Sequence, residues 1–317
     1  MKRTILMGLT VIAILTLSIL GIVLGNNSLT ELQLKTLLIL AIICGSSIAY
    51  CFIVGELANN YSQMDKLWSL LPIAYTWVVA AMSNFKIRTV IIAVIATLWG
   101  IRLTYNFARK GAYSIKFWEG EEDYRWAILR SKKMFRKRIV WSTFDLFFIS
   151  TYQNVLILAF TLPSLAVMES SKAFGVFDYL ATILASLFLL LEVVADAIQY
   201  RFHSKKKELL KEGKTLQELP YPYSLGFNTI GVWGYMRHPN YLGEQGVWMS
   251  MYLFVIGAGV ATYGIFNWSI VGPLFLILLF MGSSSLGENI SSSKYPKYKE
   301  YQKQVFKYLP LRKYKGE

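Results

Sequence analysis

Long apolar stretches alternate with short polar segments along most of the chain. A helix that crosses a bilayer needs about 20 mostly apolar residues. The pattern therefore predicts an all-α fold, a polytopic transmembrane helix bundle with about eight spans, or seven if the short third span or the seventh does not cross. The predicted spans are 4–25, 33–55, 67–82, 87–108, 144–167, 174–199, 241–262 and 265–286.

Composition and charge support an integral membrane protein with several spans. Of the 317 residues, 55% are hydrophobic and 16% are charged. Residues 109–141, 200–240 and 287–317 hold ten, seven and eight of the 33 Lys and Arg residues. Positive charge stays on the cytoplasmic side, so the distribution, with Lys2 and Arg3, predicts cytoplasmic N- and C-termini. In a bacterium the location would be the cytoplasmic membrane.

The excess of basic residues is explained by interaction with anionic lipid at the membrane surface. A net charge of +14 is what this topology beside anionic lipid predicts. We therefore expect the lipid bilayer as a partner and no nucleic acid. Only His203 and His238 offer imidazole, and Cys44 and Cys51 lie within the second predicted span as packing residues. We expect neither a metal site nor a disulfide.

Polar residues inside predicted spans indicate a functional cavity, because ionisable groups in a membrane are costly and usually line a pathway or site. Two of the sets, one in the fourth predicted span and one in the sixth, recur at i, i+4 and i+7, so each of these two sets shares one helix face. The alternative is that such residues only pair helices together. The sets are Arg102, Asn106 and Arg109; Asp145, Tyr152, Gln153 and Asn154; Glu192, Asp196 and Gln199; and Arg237, His238, Asn240 and Glu244.

These sets predict a deep pocket that faces the cytoplasm. Arginine presents paired donors to phosphate, carboxylates and amides suit a ribose or base, and Trp233, Tyr235 and Tyr241 offer aromatic faces. We interpret the pocket as a site for a charged nucleotide cofactor beside an apolar substrate. Ample basic charge in residues 109–141 favours the 2′-phosphate of NADPH.

Several motifs together resemble one family. The stretch "GVWGYMRHPNYLGE" resembles the R-H-P-N-Y/F-x-G-E pattern of steroid 5-alpha-reductase-like membrane proteins. Upstream, "EVVADAIQYRF" is similar to their E-x-x-A-D-x-Q segment. The stretches "NNYSQMDKLWSLLP", "LWGIRLTYNFARKG", "EEDYRW", "TYQNVLILAFTLP" and "KYPKYKEYQKQVFKYLP" resemble the less characterised bacterial and plant branch, over residues 59–310.

This resemblance implies two regions and a reaction. Residues 1–56 would be N-terminal spans, and residues 57–317 a steroid-5-alpha-reductase-like domain with a cytoplasm-facing cofactor cavity. The family implies an NADPH-dependent oxidoreductase acting on CH–CH groups of a lipid-like substrate. The expected cofactor-binding residues are Arg102, Asn106, Arg109, Asp196, Gln199, Trp233, Arg237, His238, Asn240, Tyr241, Glu244 and Tyr298.

The catalytic acid is the least determined part of this interpretation. Hydride transfer to a conjugated C=C develops negative charge on the carbonyl oxygen, which needs a preorganised donor. The Gln–Glu pair and Tyr that steroid-acting members use have no aligned counterpart here, so a steroid substrate does not follow. Asp65 is the candidate acid, and a helix cap is its alternative role.

A different reaction remains the main alternative. Integral-membrane methyltransferases of the isoprenylcysteine and phospholipid types also carry R-H-P-x-Y and bind S-adenosylmethionine. Asn240 and Glu244 after this motif, and the A-D-x-Q helix before it, favour the reductase. Glu288 stands alone where those enzymes usually have paired acidic residues. A transporter would need inverted repeats, for which the sequence gives no indication.

Overall fold

The computed structural model describes residues 2–25 and 28–316, with side chains from residue 8 onward. The side chains of Lys2 and Arg3, and residues 26 and 27 of the loop after the first predicted span, lie outside that description. Within it the chain is helical, without named strands. The helices are α1 Lys2–Leu24, α2 Glu31–Ala58, α3 Gln63–Trp68, α4 Leu71–Met82, α5 Ile87–Ala108, α6 Tyr124–Arg130, α7 Arg138–Val167, α8 Val176–Lys211, α9 Pro239–Gly257, α10 Val271–Lys294 and α11 Tyr298–Gln304.

Five described helices are long and apolar enough to cross a membrane: α2, α5, α7, α8 and the segment Trp268–Lys294 that contains α10. The all-α class is thereby confirmed for the described residues, and so is the presence of helices able to cross a membrane. The apolar part of α1 within the described side chains is Gly8–Leu24, and α4 has 12 residues. The count of eight spans and the cytoplasmic termini stay predictions.

Helix boundaries follow local chemistry. Thr30 caps the N-terminus of α2 through two reciprocal hydrogen bonds. Its side chain accepts from the Gln33 N–H, and the Gln33 side chain accepts from the Thr30 N–H. Two backbone donors that would otherwise lack an acceptor are thereby satisfied. Pro239 occupies the first position of α9, where its missing N–H costs nothing.

The predicted third span is divided. A continuous helix over 67–82 was expected, but α3 ends at Trp68 and α4 begins at Leu71. Pro72 lies in the first turn of α4. Its nitrogen carries no hydrogen and could not donate to Trp68, so the helix restarts there. The segment is therefore two consecutive helices, and its role as the third span stays a prediction.

The chain forms two compact units. The first comprises residues 1–182 and 248–276, and the second comprises residues 183–247 and 277–317. The division at residue 56 came from the family resemblance, and it stays a prediction.

Aromatic packing and one buried ion pair stabilise the first unit. Trp99 and Trp248 meet edge to face with ring centroids 5.1 Å apart, and Phe160 lies 4.4 Å from Trp248. All three are essentially inaccessible to solvent. Arg88 at the start of α5 donates Nε to Asp178 Oδ1 at 2.7 Å and Nη2 to Oδ2 at 2.8 Å. This bidentate geometry fixes the start of α8 against α5.

Candidate functional site

Arg237 and His238 surround one buried carboxylate in the second unit. Arg237 donates Nε to Glu288 Oε1 at 2.7 Å and Nη2 to Oε2 at 3.4 Å. His238 Nε2 lies 3.0 Å from the same Oε1, and Gln302 Nε2 donates to Oε2 at 2.9 Å. Arg237 and Glu288 are each 7% exposed. We call these four residues the Arg237–Glu288 cluster.

The cluster ties the R-H-P-N segment to residues that follow it by almost 70 positions. Arg237 Nη1 donates to the carbonyl of Gln302 at 3.2 Å and to that of Val305. The backbone N–H groups of Arg237 and His238 donate to the carbonyls of Phe306 and Lys307, both at 3.1 Å. Two residues predicted to bind a cofactor therefore have their side chains engaged with the protein itself.

Burial sets the protonation of His238. It lowers the pKa of the imidazole below its usual 6.5, and the hydrogen bond to Glu288 opposes that shift without cancelling it. His238 is therefore neutral at pH 7 and contacts the carboxylate as a dipole. The single positive charge that compensates Glu288 in this cluster comes from Arg237.

Tyr298 is part of the aromatic core next to this cluster. Its ring lies edge to face with Phe227 at 5.0 Å and with Tyr301 at 5.6 Å. The Tyr301 hydroxyl donates to the carbonyls of Trp233 and Met236. The α11 segment, whose Tyr298 was expected to bind the cofactor, thus packs against the segment before the R-H-P-N motif. Contact of Tyr298 with a cofactor stays a prediction.

Asp196 and Gln199 lie on α8 in a polar surface of the second unit. Gln199 Oε1 accepts from Asn228 Nδ2 at 2.9 Å, and Gln199 Nε2 lies 3.1 Å from His203 Nε2. Trp233 donates its indole N–H to the Ala195 carbonyl at 2.9 Å and is buried. Trp233 therefore fixes the entry to the motif segment against α8, while Asp196 and Gln199 remain partly accessible.

The first turns of α9 present Asn240, Tyr241 and Glu244. Asn240 Oδ1 is buried and accepts no hydrogen bond from the described residues. Tyr241 stacks on His238 with ring centroids 5.2 Å apart, and Glu244 is 6% exposed. A buried acceptor without a donor is costly unless a ligand or water supplies one. Asn240 thus marks a position where a ligand N–H or O–H would be stabilised.

Glycine at position 243 allows α8 to approach α9 here. A side chain at Gly243 would overlap the Glu192 side chain and lie 2.8 Å from the Phe188 carbonyl. Glu192 is fully buried. The motif segment therefore combines a closely packed helix pair with two buried carboxyl groups, Glu192 and Glu244.

Arg102 and Asn106 lie on one face of α5, and Arg109 directly follows its last residue; all three are in the first unit. Asn106 is buried, and Arg102 and Arg109 are half-buried. The Arg109 guanidinium lies 5.3 Å from the centre of the Tyr105 ring. The shared helix face that the spacing predicted is present, and its role toward phosphate stays a prediction.

Asp65 anchors a polar loop. Its Oδ2 accepts from Ser62 Oγ and from Trp126 Nε1, both at 2.8 Å, and Arg125 Nη2 lies 3.5 Å from Oδ1. Burial raises the pKa of Asp65, while Arg125 and the two donors oppose the shift. The side-chain partners of Asp65 are thus other side chains, as expected for an anchor rather than for a helix cap. Its role as a catalytic acid stays a prediction.

Lys66 completes this anchor. Its side chain is fully buried, and Nζ donates to the carbonyls of Phe117 and Glu119, each at 2.6 Å. A buried ammonium needs such acceptors. Lys66 thereby fixes the loop between α5 and α6 on α3, a contact the sequence pattern did not predict because 51 residues separate the partners.

The polar residues of α7 lie where the helix widens into a π-helix, Asp145–Tyr152, a feature frequent at functional sites. Ser150 Oγ donates to Asp145 Oδ1 at 3.1 Å, and Asn154 Nδ2 donates to the Ser150 carbonyl at 2.7 Å. Asp145 and Asn154 are buried. They form a polar strip along the helix within the first unit.

Comparison with known proteins gives the family. A family model described as "Protein of unknown function (DUF1295)" matches residues 51–305. This chain belongs to the DUF1295 family. The family is steroid 5-alpha-reductase-like. "Uncharacterized protein C594.04c" of Schizosaccharomyces pombe is 32% identical over 266 residues, which is 81% of this chain and 74% of that protein. No solved structure matches.

Membership of DUF1295 confirms the coarse resemblance, a membrane protein of the steroid reductase-like type. The bacterial and plant branch, the cofactor and the substrate stay predictions. In the described part of the chain, no group of three or more His, Cys, Asp or Glu side chains is arranged to hold a metal.

Proposed function

We propose that this DUF1295 protein is a multi-pass membrane reductase that uses NADPH to reduce a lipid-soluble, enone-type substrate of steroid-like or isoprenoid-like character. The observation that carries the proposal is the buried, unsatisfied Asn240 Oδ1 next to Glu244 on α9. Family relatedness to steroid 5-alpha-reductase-like enzymes supports an oxidoreductase.

The residues of the second unit suit a nicotinamide cofactor. Asn240 Oδ1 would accept a carboxamide N–H. Asp196 and Gln199 on α8 would accept ribose hydroxyls. Glu244 would accept a further N–H or O–H. When bound, NADPH supplies the hydride.

The Arg237–Glu288 cluster would support catalysis by holding neighbouring residues in place, without contacting the cofactor itself. Its Arg237 and His238 also fix their own backbone, just before Asn240, by N–H hydrogen bonds at 3.1 Å to the carbonyls of Phe306 and Lys307. Groups held rigidly cost less reorganisation when a substrate reacts. We therefore assign Arg237 and His238 to positioning, and Asn240 and Glu244 to direct contact.

The substrate would arrive through the bilayer. The lipid-facing side of α5 exposes Val94, Leu98 and Ile101, each at least 42% accessible. An apolar compound gains about 0.8 kcal/mol per methylene that leaves water, so it concentrates in the membrane before binding. Membranes that contain the protein should consume NADPH with apolar enones. Consumption only with soluble keto acids would contradict lipid access and leave the cofactor proposal intact.

Thermal unfolding of the purified protein tests the cofactor. A ligand at a hundredfold excess over Kd stabilises the folded state by about 2.7 kcal/mol. We expect NADPH to raise the melting temperature more than NADH, and S-adenosylmethionine to leave it unchanged. A shift with S-adenosylmethionine alone would replace the reductase by a methyltransferase.

Two substitutions locate the cofactor. Glu244→Ala and Asn240→Ala should each weaken NADPH binding, Glu244→Ala by about 2–3 kcal/mol and Asn240→Ala by about 1 kcal/mol, because a charged hydrogen bond is worth more than a neutral one. Asn267→Ala is the matched control, since this buried Asn lies in the first unit. Unchanged affinity in both α9 variants would place the cofactor elsewhere.

A further inference from the structure

A compact cationic surface leads into helix α7 and includes its first residues. Residues 131–140 have the sequence "SKKMFRKRIV", with five basic residues and no acidic one. All ten residues except Phe135 are exposed. We call residues 131–140 the basic collar. Four cationic side chains of the collar have neither an ion pair nor a hydrogen bond within the described residues: Lys132, Lys133, Arg136 and Lys137.

One buried ring fixes the collar. Phe135 packs edge to face on Trp141 at 5.5 Å and lies 4.8 Å from Phe144, both within α7. A 3₁₀ turn, Lys133–Phe135, brings the ring to this position. The cations on either side of Phe135 are therefore held at the start of α7, where the chain leaves water for the membrane.

Apolar side chains alternate with these cations. Met134 is 66% exposed and Ile139 is 72% exposed. Exposed apolar groups beside four unpaired cations fit a boundary where headgroup phosphates meet acyl chains. Clusters of four or more Lys and Arg residues next to a spanning helix bind anionic lipid.

We propose that the basic collar is a binding site for anionic phospholipid headgroups. Lys132, Lys133, Arg136 and Lys137 contact the lipid phosphates, while Met134 and Ile139 enter the upper acyl region. Because Phe135 fixes the segment to α7, the site retains particular lipid molecules against this helix. The inference does not depend on the reductase proposal.

Native mass spectrometry in a nonionic detergent tests the site. The protein is titrated with palmitoyl-oleoyl phosphatidylglycerol and, separately, with the phosphatidylcholine of the same chains. We expect phosphatidylglycerol to bind more tightly, by about fivefold for each cation engaged, and the preference to fall as salt is raised. Equal affinity for both lipids would overturn the proposal.

Matched variants separate the collar from general positive charge. Neutralising its four cations should reduce the phosphatidylglycerol preference by roughly 600-fold, about fivefold for each cation, whereas neutralising four other exposed lysines should change it less than fivefold. Equal losses in the two variants would overturn a dedicated site. The first variant combines Lys132→Gln, Lys133→Gln, Arg136→Gln and Lys137→Gln, and the control combines Lys207→Gln, Lys211→Gln, Lys299→Gln and Lys303→Gln.

Two further measurements test the Phe135 anchor and the identity of the bound phosphate. Phe135→Ser keeps every charge and releases the anchor, so the preference should fall several-fold; an unchanged preference would overturn the fixed site. The stabilisation by NADPH should persist in the four-fold collar variant. Loss of that stabilisation with an intact lipid preference would assign these cations to the dinucleotide phosphates and overturn the lipid site.

Discussion

Removing the Glu288 carboxylate should be among the most destabilising single changes in the second unit. Glu288→Ala leaves the Arg237 guanidinium buried with its charge uncompensated, because Arg237 is only 7% exposed and its remaining bonds are to backbone carbonyls. Breaking a buried ion pair from one side costs about 3–5 kcal/mol. Glu288→Gln keeps the shape and an acceptor oxygen, so it should cost about 1.5–3 kcal/mol.

Two assays measure this effect. At about 2 °C per kcal/mol for a large chain, Glu288→Ala should lower the melting temperature in detergent by roughly 6–10 °C. Limited trypsin digestion should also cleave faster after Lys307, because the carbonyls of Val305, Phe306 and Lys307 all bind to Arg237 or His238.

A double variant decides between the ion pair and simple packing. Arg237→Met combined with Glu288→Leu removes both charges, and such replacements of buried pairs are often neutral or stabilising. It should recover most of the stability lost in Glu288→Ala. The reasoning is refuted if Glu288→Ala has the same melting temperature as the wild type, or if the double variant is as unstable as Glu288→Ala.

Three further predictions concern separate parts of the chain. Burial lowers the pKa of His238 below 6.5, so the stability that the neutral imidazole contributes above pH 6.5 is lost as pH falls toward its folded-state pKa. The melting temperature should therefore drop more between pH 7.5 and 5.5 in the wild type than in His238→Gln. Equal drops would exclude His238 as the cause of the pH dependence. The methyl group of Gly272→Ala would overlap the Ala159 backbone, so this variant should lower the free energy of unfolding by about 1–3 kcal/mol, measured by thermal unfolding. In the same helix, a methyl group at Gly282 would meet no atom within 4 Å, so Gly282→Ala should be neutral or stabilising. Lys66→Met removes the donor to the Phe117 and Glu119 carbonyls and should therefore speed proteolysis of the loop between α5 and α6. An unchanged rate would show that other contacts are enough to hold this loop in place.

Periodicity predicted much of the fold because a membrane-spanning helix satisfies its own backbone and shows its apolar length directly in sequence. Five described spanning helices correspond to predicted ones. The division between Trp68 and Leu71 was missed, although Pro72 was a visible signal. The extension of α8 to Lys211 was missed as well, since its last turns are rich in Lys and carry no apolar run long enough to predict a span.

The candidate site was only partly predictable. Asn240 and Glu244 were identified from the motif, and the structure places both on α9, with Glu244 and the Asn240 Oδ1 atom buried. The partner of Arg237 was not identified, because Glu288 lies 51 residues away and an isolated acid in "GENISSS" has no local pattern. Asp65 was placed as an acid or a cap, but its binding to Trp126 depends on how a loop 61 residues later folds back.

The attachment of residues 305–314 also constrains the order of biosynthesis. Tyr314 donates its backbone N–H to the Gly234 carbonyl at 2.8 Å, and Phe306 accepts from Arg237. A ribosome releases these residues only after the helices named here as able to span a membrane have been made, so Arg237 and Glu288 stay without their final enclosure until residues 305–314 emerge. The motif segment must therefore mature after membrane insertion. A nascent chain halted before residue 305 would contain all the helices named as spanning and still lack an ordered entry to α9.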